Sequence, residues 1–219
     1  MTLDHDSVRE RVLTLAEEAI ATDGHEGLKA RGIAQAAGIS VGTIYNLFED
    51  LDGLRLQVNS RLMDRLEAVA AGVLRDLAAK HETDARISLL ALARAYVGFV
   101  ETHGRSWTAM LAFNRQVDTA SMPDWYLARQ DQLFEIIGDI LKTTSFMADA
   151  TTRRTASRAL WSGVHGIVTL GYRRTETDDW AAETWAQVEL LVTAFVAGLH
   201  HIDAAGTVRD LTGNSDGGA

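Results

Sequence analysis

Apolar residues recur at intervals of three and four along most of the chain, the spacing at which side chains share one face of an α-helix. The first such run includes Val8, Val12, Leu15 and Ile20 and ends near Ala21. Proline, which interrupts helices, occurs once among the 219 residues. The pattern predicts an all-α protein of about nine helices.

The stretch from Leu28 to Leu54 predicts two short helices joined by a tight turn, followed by the start of a long helix. Ala34 is small enough for a second helix to cross closely, Gly38 suits the positive φ of a sharp turn, and Ile44 locks the helices together. The second helix spans barely two turns, so it is not stable alone and its outward face is expected to meet a partner. That face carries Gly42, Thr43, Tyr45 and Asn46. This is the helix-turn-helix arrangement, whose second helix enters the DNA major groove.

After the motif the apolar pattern continues without a linker that would separate two domains. A fourth helix is predicted from Asp50 to about Lys80, and later ones at about 84–102, after Gly104, from Pro123 to Leu141, at 149–172 and at 178–204. We therefore expect a three-helix DNA-binding domain at residues 1–50 and a larger helical ligand-binding and dimerisation domain at 51–208. The polar, glycine-rich end at 209–219 has nothing to bury and is expected to be disordered.

Composition narrows the range of chemistry. The chain has no cysteine, which excludes a disulfide framework, a thiolate metal site and a thiol nucleophile. No leader pattern and no apolar run of 18 residues is found, so we expect a soluble, cytoplasmic protein that does not enter a membrane. His200 and His201 are adjacent and point in different directions, so they make a poor chelate. No metal and no cofactor are expected.

The charge balance is unusual for a protein that binds DNA. The net charge is −9, and residues 1–60 hold five basic side chains against ten acidic ones. Contacts to phosphate normally supply much of the affinity for DNA. We expect the cations to cluster on the DNA-facing side with the acids behind them, since Lys29 and Arg31 stand at the leading edge of the motif.

The string AGISVGTIYNLF, about thirty residues from the N-terminus and followed by a long helical chain, resembles the tetracycline-repressor (TetR) family of bacterial transcription regulators. The wider match, IAQAAGISVGTIYNLFEDLDGL with the helix before it, covers roughly the first quarter of the chain. The remainder is similar in length and helix content, and in Trp161, His165 and Gly166. The resemblance implies a dimeric regulator that binds double-stranded DNA at a palindromic operator and responds to a small molecule.

The resemblance also implies roles for single residues. Val41 and Gly42 fall where the recognition helix meets base edges, whereas Thr43 and Tyr45 fall at positions that usually touch phosphate. Asn46 stands where the family often has a histidine facing DNA, and an asparagine pairs well with adenine. Two residues depart from the family pattern. Lys29 replaces a threonine that caps the second helix and becomes a phosphate cation beside Arg31, and Leu51 replaces a lysine that reaches the DNA backbone.

Two further sets of residues are candidates for binding. The last two predicted helices carry apolar stripes that, in this family, pair with the same helices of a second subunit. The predicted dimer interface consists of Leu160, Val164, Ile167, Val168, Val188, Val192, Phe195 and Leu199. The predicted effector pocket, mostly aromatic, consists of Tyr96, Phe99, His103, Trp107, Met110, Phe113, Trp125, Phe134, Trp161 and His165. Ordinary core packing is the alternative for both sets.

Two functions remain open at this stage. The first is a homodimeric transcriptional repressor that leaves its operator when a small apolar or aromatic effector binds. The alternative is a helical small-molecule carrier or enzyme whose DNA-binding motif is vestigial, which the acidic N-terminal region and Leu51 favour. The sequence shows no paired carboxylates, no convergent Ser/His/Asp set and no phosphate-cradling glycine loop, so we expect no enzymatic activity.

Overall fold

The computed structural model describes residues 5–142, 149–173 and 180–205, and every regular element in those ranges is helical. Eight α-helices follow one another: α1 His5–Asp23, α2 Ala30–Ala37, α3 Val41–Phe48, α4 Leu51–Ala79, α5 Ala85–Gln116, α6 Asp124–Leu141, α7 Ala150–Arg173 and α8 Trp180–Ala205. Short 3₁₀ turns lie at Gly24–Gly27 and Thr119–Ser121. The all-α prediction is confirmed. The segment 209–219, predicted to be disordered, lies outside the described residues.

The predicted interruption near Gly104 is present at the residue before it. His103 has non-helical dihedral angles (φ −115°, ψ 20°), so two helical stretches meet there at a kink inside Ala85–Gln116. Val100 and Trp107, on either side of the kink, are both buried. Counting the two stretches of α5 separately gives the nine helices expected, within the described ranges.

The described chain divides into two compact units. The first comprises the residues up to Val69 together with Phe99–Gln132, and the second comprises Ala70–Gly98 together with the residues from Leu133 onwards. The long helices α4 and α5 each contribute to both units. The helix-turn-helix motif lies entirely in the first unit.

The core of the first unit forms around α1. Its apolar stripe, with Val12 and Ala16 completely buried, packs against the inward residues of α2, α3 and the start of α4. Ile44 and Leu54 are also completely shielded from solvent. Because the motif helices have only eight residues each, this shared core is what makes them stable.

The second unit has a closely paired α7 and α8. A Cβ atom added to Gly171 would lie 2.1 Å from Thr184 Oγ1, and one added to Gly163 would lie 2.7 Å from Leu191 Cδ2. A Cβ atom at either position would force the neighbouring side chain to move, so the two glycines allow the helices to approach this closely. Gly163 lies opposite Leu191, and Gly171 lies opposite Thr184. Because the residue number rises along α7 while it falls along α8, the two helices run antiparallel.

Candidate nucleic-acid interface and effector-binding residues

The turn between α2 and α3 has the geometry that the sequence predicted. Gly38 adopts the left-handed conformation (φ 67°, ψ 34°), and its N–H donates to the carbonyl groups of Ala34 and Gln35. The N–H of Ile39 also donates to Ala34 O, at 3.0 Å. These bonds end α2 abruptly and satisfy its last carbonyl groups, so the chain reverses within a few residues.

Two residues at the start of α3 fix its first turn. The Ser40 side chain accepts a hydrogen bond from the Thr43 N–H at 3.1 Å, the N-cap contact predicted from the sequence. The Ser40 and Thr43 hydroxyl oxygens are also 2.9 Å apart. Thr43 is therefore engaged within the protein, although its hydroxyl retains further hydrogen-bonding capacity.

The outward face of α3 is open to solvent. Tyr45 is 45% exposed, and Gly42 and Asn46 are exposed too, whereas Val41 is half-buried. On the opposite side Ile44 is 0% exposed, so one face of α3 packs in the core and the other face contacts solvent. This is the arrangement that a recognition helix requires.

The start of α2 supplies two exposed cations, Lys29 and Arg31. Lys29 takes the N-cap position and makes no side-chain cap bond, which agrees with the expected loss of a threonine cap. Neither side chain forms an ion pair within the described residues. Both are available to an anionic partner.

The other basic residues of the first 60 bind inside the protein. Arg9 donates to Leu47 O and to Gln57 Oε1, each at 2.6 Å, and lies over the ring of Phe48. Arg11 donates to Ala37 O at 3.2 Å. The expectation that the cations cluster toward DNA is thus wrong for these two. They instead cap the carbonyl ends of α3 and α2, where the helix dipole is negative.

Arg55 also interacts with residues of the protein itself. It pairs with Asp52 at 3.1 Å and lies 5.2 Å from the centre of the Phe113 ring. Of the five basic side chains in residues 1–60, only Lys29 and Arg31 therefore remain unpaired in the described part of the chain.

The junction from α3 to α4 is a strained single-residue turn. Glu49 has φ 68° and ψ −59°, and the Asp50 N–H donates to Phe48 O across it at 2.8 Å. This is the rare γ-turn of positive φ. Asp50 then caps α4 by accepting from the Gly53 N–H at 2.7 Å. The turn fixes how the recognition helix joins the long helix that follows.

Ion pairs connect α1 to α4. Arg61 binds Glu10 and Glu17, and Arg65 binds the second oxygen of Glu17. The hydrogen bond from Arg61 lowers the pKa of Glu10, and in turn the hydrogen bond to Glu10 raises the pKa of Arg61. The sequence offered no sign of these pairs, because about fifty residues separate the partners.

The predicted pocket residues fall into both compact units. In the first unit the ring of Phe99 lies 4.6 Å from that of His103 and 6.1 Å from that of Trp107, measured between centres. Met110 and Phe113 are buried, whereas Trp125 is 48% exposed. The structure thus brings Phe99, His103 and Trp107 together.

The other four predicted pocket residues form a cluster in the second unit: Tyr96, Phe134, Trp161 and His165. Trp161 stacks on His165 with ring centres 5.6 Å apart, and Tyr96 and Phe134 pack against Trp161 at 5.1 and 6.0 Å. The Tyr96 hydroxyl is 2.8 Å from His165 Nδ1. Burial lowers the pKa of His165, so its imidazole is neutral at pH 7. The cluster combines apolar rings with one polar pair, the mixture found in small-molecule sites.

The predicted dimer residues lie mostly inside the chain. Six of them are buried in the isolated protein, namely Leu160, Val164, Val168, Val188, Val192 and Leu199, and only Ile167 and Phe195 are half-buried. A side chain that is already shielded has little surface to offer a second subunit. The exposed apolar side chains of α7 and α8 are instead Leu170 (64%) and Leu190 (72%), which the sequence reasoning did not select.

Two classes of feature are not found in the described ranges. No group of three or more His, Cys, Asp or Glu side chains has the arrangement of a metal site. No helix there is long and apolar enough to cross a membrane.

These features define a helix-turn-helix DNA-binding protein with a helical second unit. Residues 12–58 match the family described as bacterial regulatory proteins of the tetR family, and residues 89–195 match the tetracyclin repressor-like C-terminal domain. Together the two matches cover most of the chain. The protein belongs to the TetR family of transcriptional regulators. Members of this family are DNA-binding regulators without enzymatic activity.

Solved structures show the same fold. A tetR-family transcriptional regulator from Streptomyces coelicolor aligns with a TM-score of 0.63 and 18% identity, over 91% of this chain and 83% of that one. A protein of unknown function from Rhodococcus sp. RHA1 aligns with a TM-score of 0.65 and 23% identity, over 90% and 98%. A TetR-family regulator from Agrobacterium tumefaciens gives 0.62 and 20%, over 87% and 98%. No curated protein matches the chain in sequence.

Proposed function

We propose that this regulator is a homodimeric repressor, acting in the cytoplasm, that reads a palindromic operator with α3 and is released by a small apolar or aromatic effector. The observation that carries the proposal is the two-sided character of α3. Its inward side is closed by Ile44 at 0% exposure, while Tyr45 and Asn46 stand in solvent. A helix of eight residues held this way has its outward side free for the major groove.

Each exposed group suits a distinct part of DNA. The ammonium of Lys29 and the guanidinium of Arg31 pair with phosphates, and the hydroxyl of Tyr45 donates to a phosphate oxygen. The Asn46 amide offers a donor and an acceptor in the spacing of the adenine N6 and N7 edge. Phosphate contacts position the protein, whereas Asn46 supplies sequence preference.

A gel-shift titration with the DNA that flanks the protein's own gene tests DNA binding. Asn46→Ala should weaken binding to the matched site by about 1–3 kcal/mol and leave mismatched sites almost unchanged. Tyr45→Phe should weaken binding to all sites alike, because it removes a phosphate contact. Gln116→Ala, an exposed change at the end of α5, is the matched control. If Asn46→Ala lowers affinity equally for matched and mismatched sites, the assignment of Asn46 to a base is wrong.

The exposed face of α8 supports the dimer. Around Leu190 the exposed residues toward the C-terminus are small and uncharged, namely Thr193, Ala194, Ala197 and Gly198, which allow close helix approach; toward the N-terminus Ala182 and Ala186 share the surface with Glu183 and Gln187. A single exposed leucine is common on protein surfaces, but Leu170 and Leu190 together with the small residues of α8 form an apolar surface on the α7–α8 pair. Pairing α7 and α8 with the same helices of a second copy would cover both, as a four-helix bundle. The interface then lies on the side opposite the stripe predicted from the sequence.

The two aromatic clusters support an effector of apolar or aromatic character. The first contains Phe99, His103 and Trp107, and the second contains the polar pair Tyr96–His165. Quenching of tryptophan fluorescence on titration with a candidate effector, together with loss of the gel-shift, is the expected result. An effector that quenches fluorescence without changing the gel-shift would contradict the release mechanism.

A further inference from the structure

Two residues of α4, Gly53 and Gln57, lie against the C-terminal end of α3. They are four positions apart, so they share one face of α4. A Cβ atom added to Gly53 would lie 2.1 Å from the carbonyl oxygen of Phe48, the last residue of α3. Any side chain at this position would displace that backbone oxygen. The glycine therefore allows α4 to begin this close to the end of α3.

Gln57 is connected to α3 through one arginine of α1. Its side-chain oxygen accepts a hydrogen bond from Arg9 at 2.6 Å, and the same guanidinium donates to the Leu47 carbonyl oxygen, also at 2.6 Å. The guanidinium carbon lies 4.6 Å from the centre of the Phe48 ring, which is a cation–π distance. Because the donors of an arginine form a rigid, planar fork, Arg9 holds an acceptor on α4 and an acceptor on α3 at a fixed separation.

The backbone held in this way adjoins the outward face of α3. Leu47 directly follows Tyr45 and Asn46, which are both exposed. Hydrogen bonds weaken steeply as their angle departs from linearity, and a bidentate contact to a base requires two of them to fit at once. A change in the orientation of α3 would therefore weaken a base contact of Asn46 more than it weakens single contacts to phosphate.

We infer that Gly53 and Gln57 are positioning residues for operator recognition, which together set the orientation of α3 relative to α4. Gln57 acts through Arg9, and Gly53 acts by leaving space for the Phe48 carbonyl group. The inference rests on the proposed function for the role of α3 in reading bases, and it deepens that function by naming residues that determine specificity without reading a base themselves. A purely structural role would change the stability of the protein and leave the selectivity of the folded protein unchanged.

A pair of substitutions at Gln57 tests the connection through Arg9. Gln57→Leu keeps a similar volume and removes the acceptor, whereas Gln57→Glu retains an acceptor. Fluorescence anisotropy is measured with a duplex from the DNA that flanks the protein's own gene and with a scrambled duplex of the same composition. The ratio of the two affinities should fall about fivefold in Gln57→Leu, the smaller end of what one bidentate base contact contributes, and should keep the parent value in Gln57→Glu.

Circular dichroism at the assay temperature establishes that each variant is folded before its affinities are compared. An unchanged ratio in folded Gln57→Leu would overturn the positioning role of this residue. An equal fall in both variants would overturn it too, because the acceptor that Gln57→Glu retains would then be irrelevant.

Gly53→Ala tests the close approach of α4 to α3. Alanine is the better helix former, so an effect on helix stability alone would favour this variant. The added Cβ atom should instead displace the Phe48 carbonyl group and lower the affinity ratio by about fivefold or more. Gly72→Ala, in the same helix, is the matched control, because a Cβ atom there would meet only the Arg75 side chain, at 3.9 Å. A parent-like ratio in Gly53→Ala, or an equal fall in Gly72→Ala, would overturn the role of Gly53.

Backbone amide NMR signals of the full-length protein without DNA report the same change independently of the operator. Gln57→Leu and Gly53→Ala should each shift the signals of residues 45–48 and leave those of residues 30–37 near their parent positions, whereas Gly72→Ala should shift neither set. Unshifted signals at 45–48 in both test variants would overturn the inference. The two claims therefore fail separately: a parent protein that binds both duplexes equally contradicts the proposed function, while the amide signals still decide whether Gly53 and Gln57 orient α3.

Discussion

The salt dependence of operator binding follows from the count of available cations. The first 60 residues contain five basic side chains, but Arg9, Arg11 and Arg55 are bound within the protein. Only Lys29 and Arg31 are left to meet phosphates, so a dimer would neutralise about four. The logarithm of the binding constant falls with the logarithm of salt concentration by about 0.9 per neutralised phosphate, which gives a slope of about −3.6.

A single substitution changes this slope by a calculable amount. Arg31→Ala removes one cation from each half-site, so the slope should become about −1.8. Between 50 and 200 mM salt the parent protein should lose affinity by about 150-fold, and the variant by about 12-fold. The two proteins should therefore approach each other in affinity as salt rises.

Fluorescence anisotropy with a labelled operator duplex measures the slope over this range. Arg75→Ala, an exposed change in α4 outside the motif, is the control and should keep the parent slope. A parent slope near −7 would mean that Arg9 and Arg11 leave their carbonyl partners and bind phosphate, because the dimer would then neutralise about eight phosphates. A parent slope unchanged by Arg31→Ala would mean that this cation does not meet DNA. Either result would refute the conclusion that Lys29 and Arg31 are the two cations of residues 1–60 that contact phosphate.

Three other changes have defined outcomes. Leu190→Glu should convert the dimer to a monomer in light scattering, because it places like charges together at the paired α8 faces; persistent dimers would exclude that surface. Arg11→Ala should lower the free energy of unfolding in urea by about 1 kcal/mol, since Ala37 O loses a charged donor, whereas an unchanged value would mean that water replaces the guanidinium fully. Burial lowers the pKa of His165, so the unfolded chain gains a proton first as pH falls below about 6.5. Stability should therefore fall with pH below that value, and His165→Phe should reduce this slope; an unchanged slope would rule out His165 as its source.

The helix-turn-helix motif was predictable because its determinants are local. Gly38 has the positive φ expected of it, and Ile44 is fully buried as predicted, since both follow from a spacing of a few residues. The interruption near Gly104 was predictable for the same reason, and the non-helical residue is its neighbour His103.

The exposed apolar face of α8 was not predictable from periodicity, because the helix is apolar on more than one side. A stripe with Val188, Val192 and Leu199 and another with Leu190 and Ala194 both have helical spacing. Only the pairing with α7 decides which stripe is internal, and that pairing depends on contacts such as Gly171 with Thr184. Periodicity identifies an amphipathic helix better than it identifies the inner face of one that is largely apolar.

The two arginines of α1 explain how an acidic regulator retains a stable DNA-binding motif. Arg9 and Arg11 each reach the last carbonyl groups of a motif helix, at Leu47 and Ala37, and so stabilise two helices too short to stand alone. Cations used in this way are not available to phosphate, so we expect affinity that is independent of sequence to be small. Under the proposed function, discrimination between operator and other DNA would then depend chiefly on Asn46. Such a protein would gain selectivity by lowering its non-specific binding, because selectivity is the ratio of the two affinities.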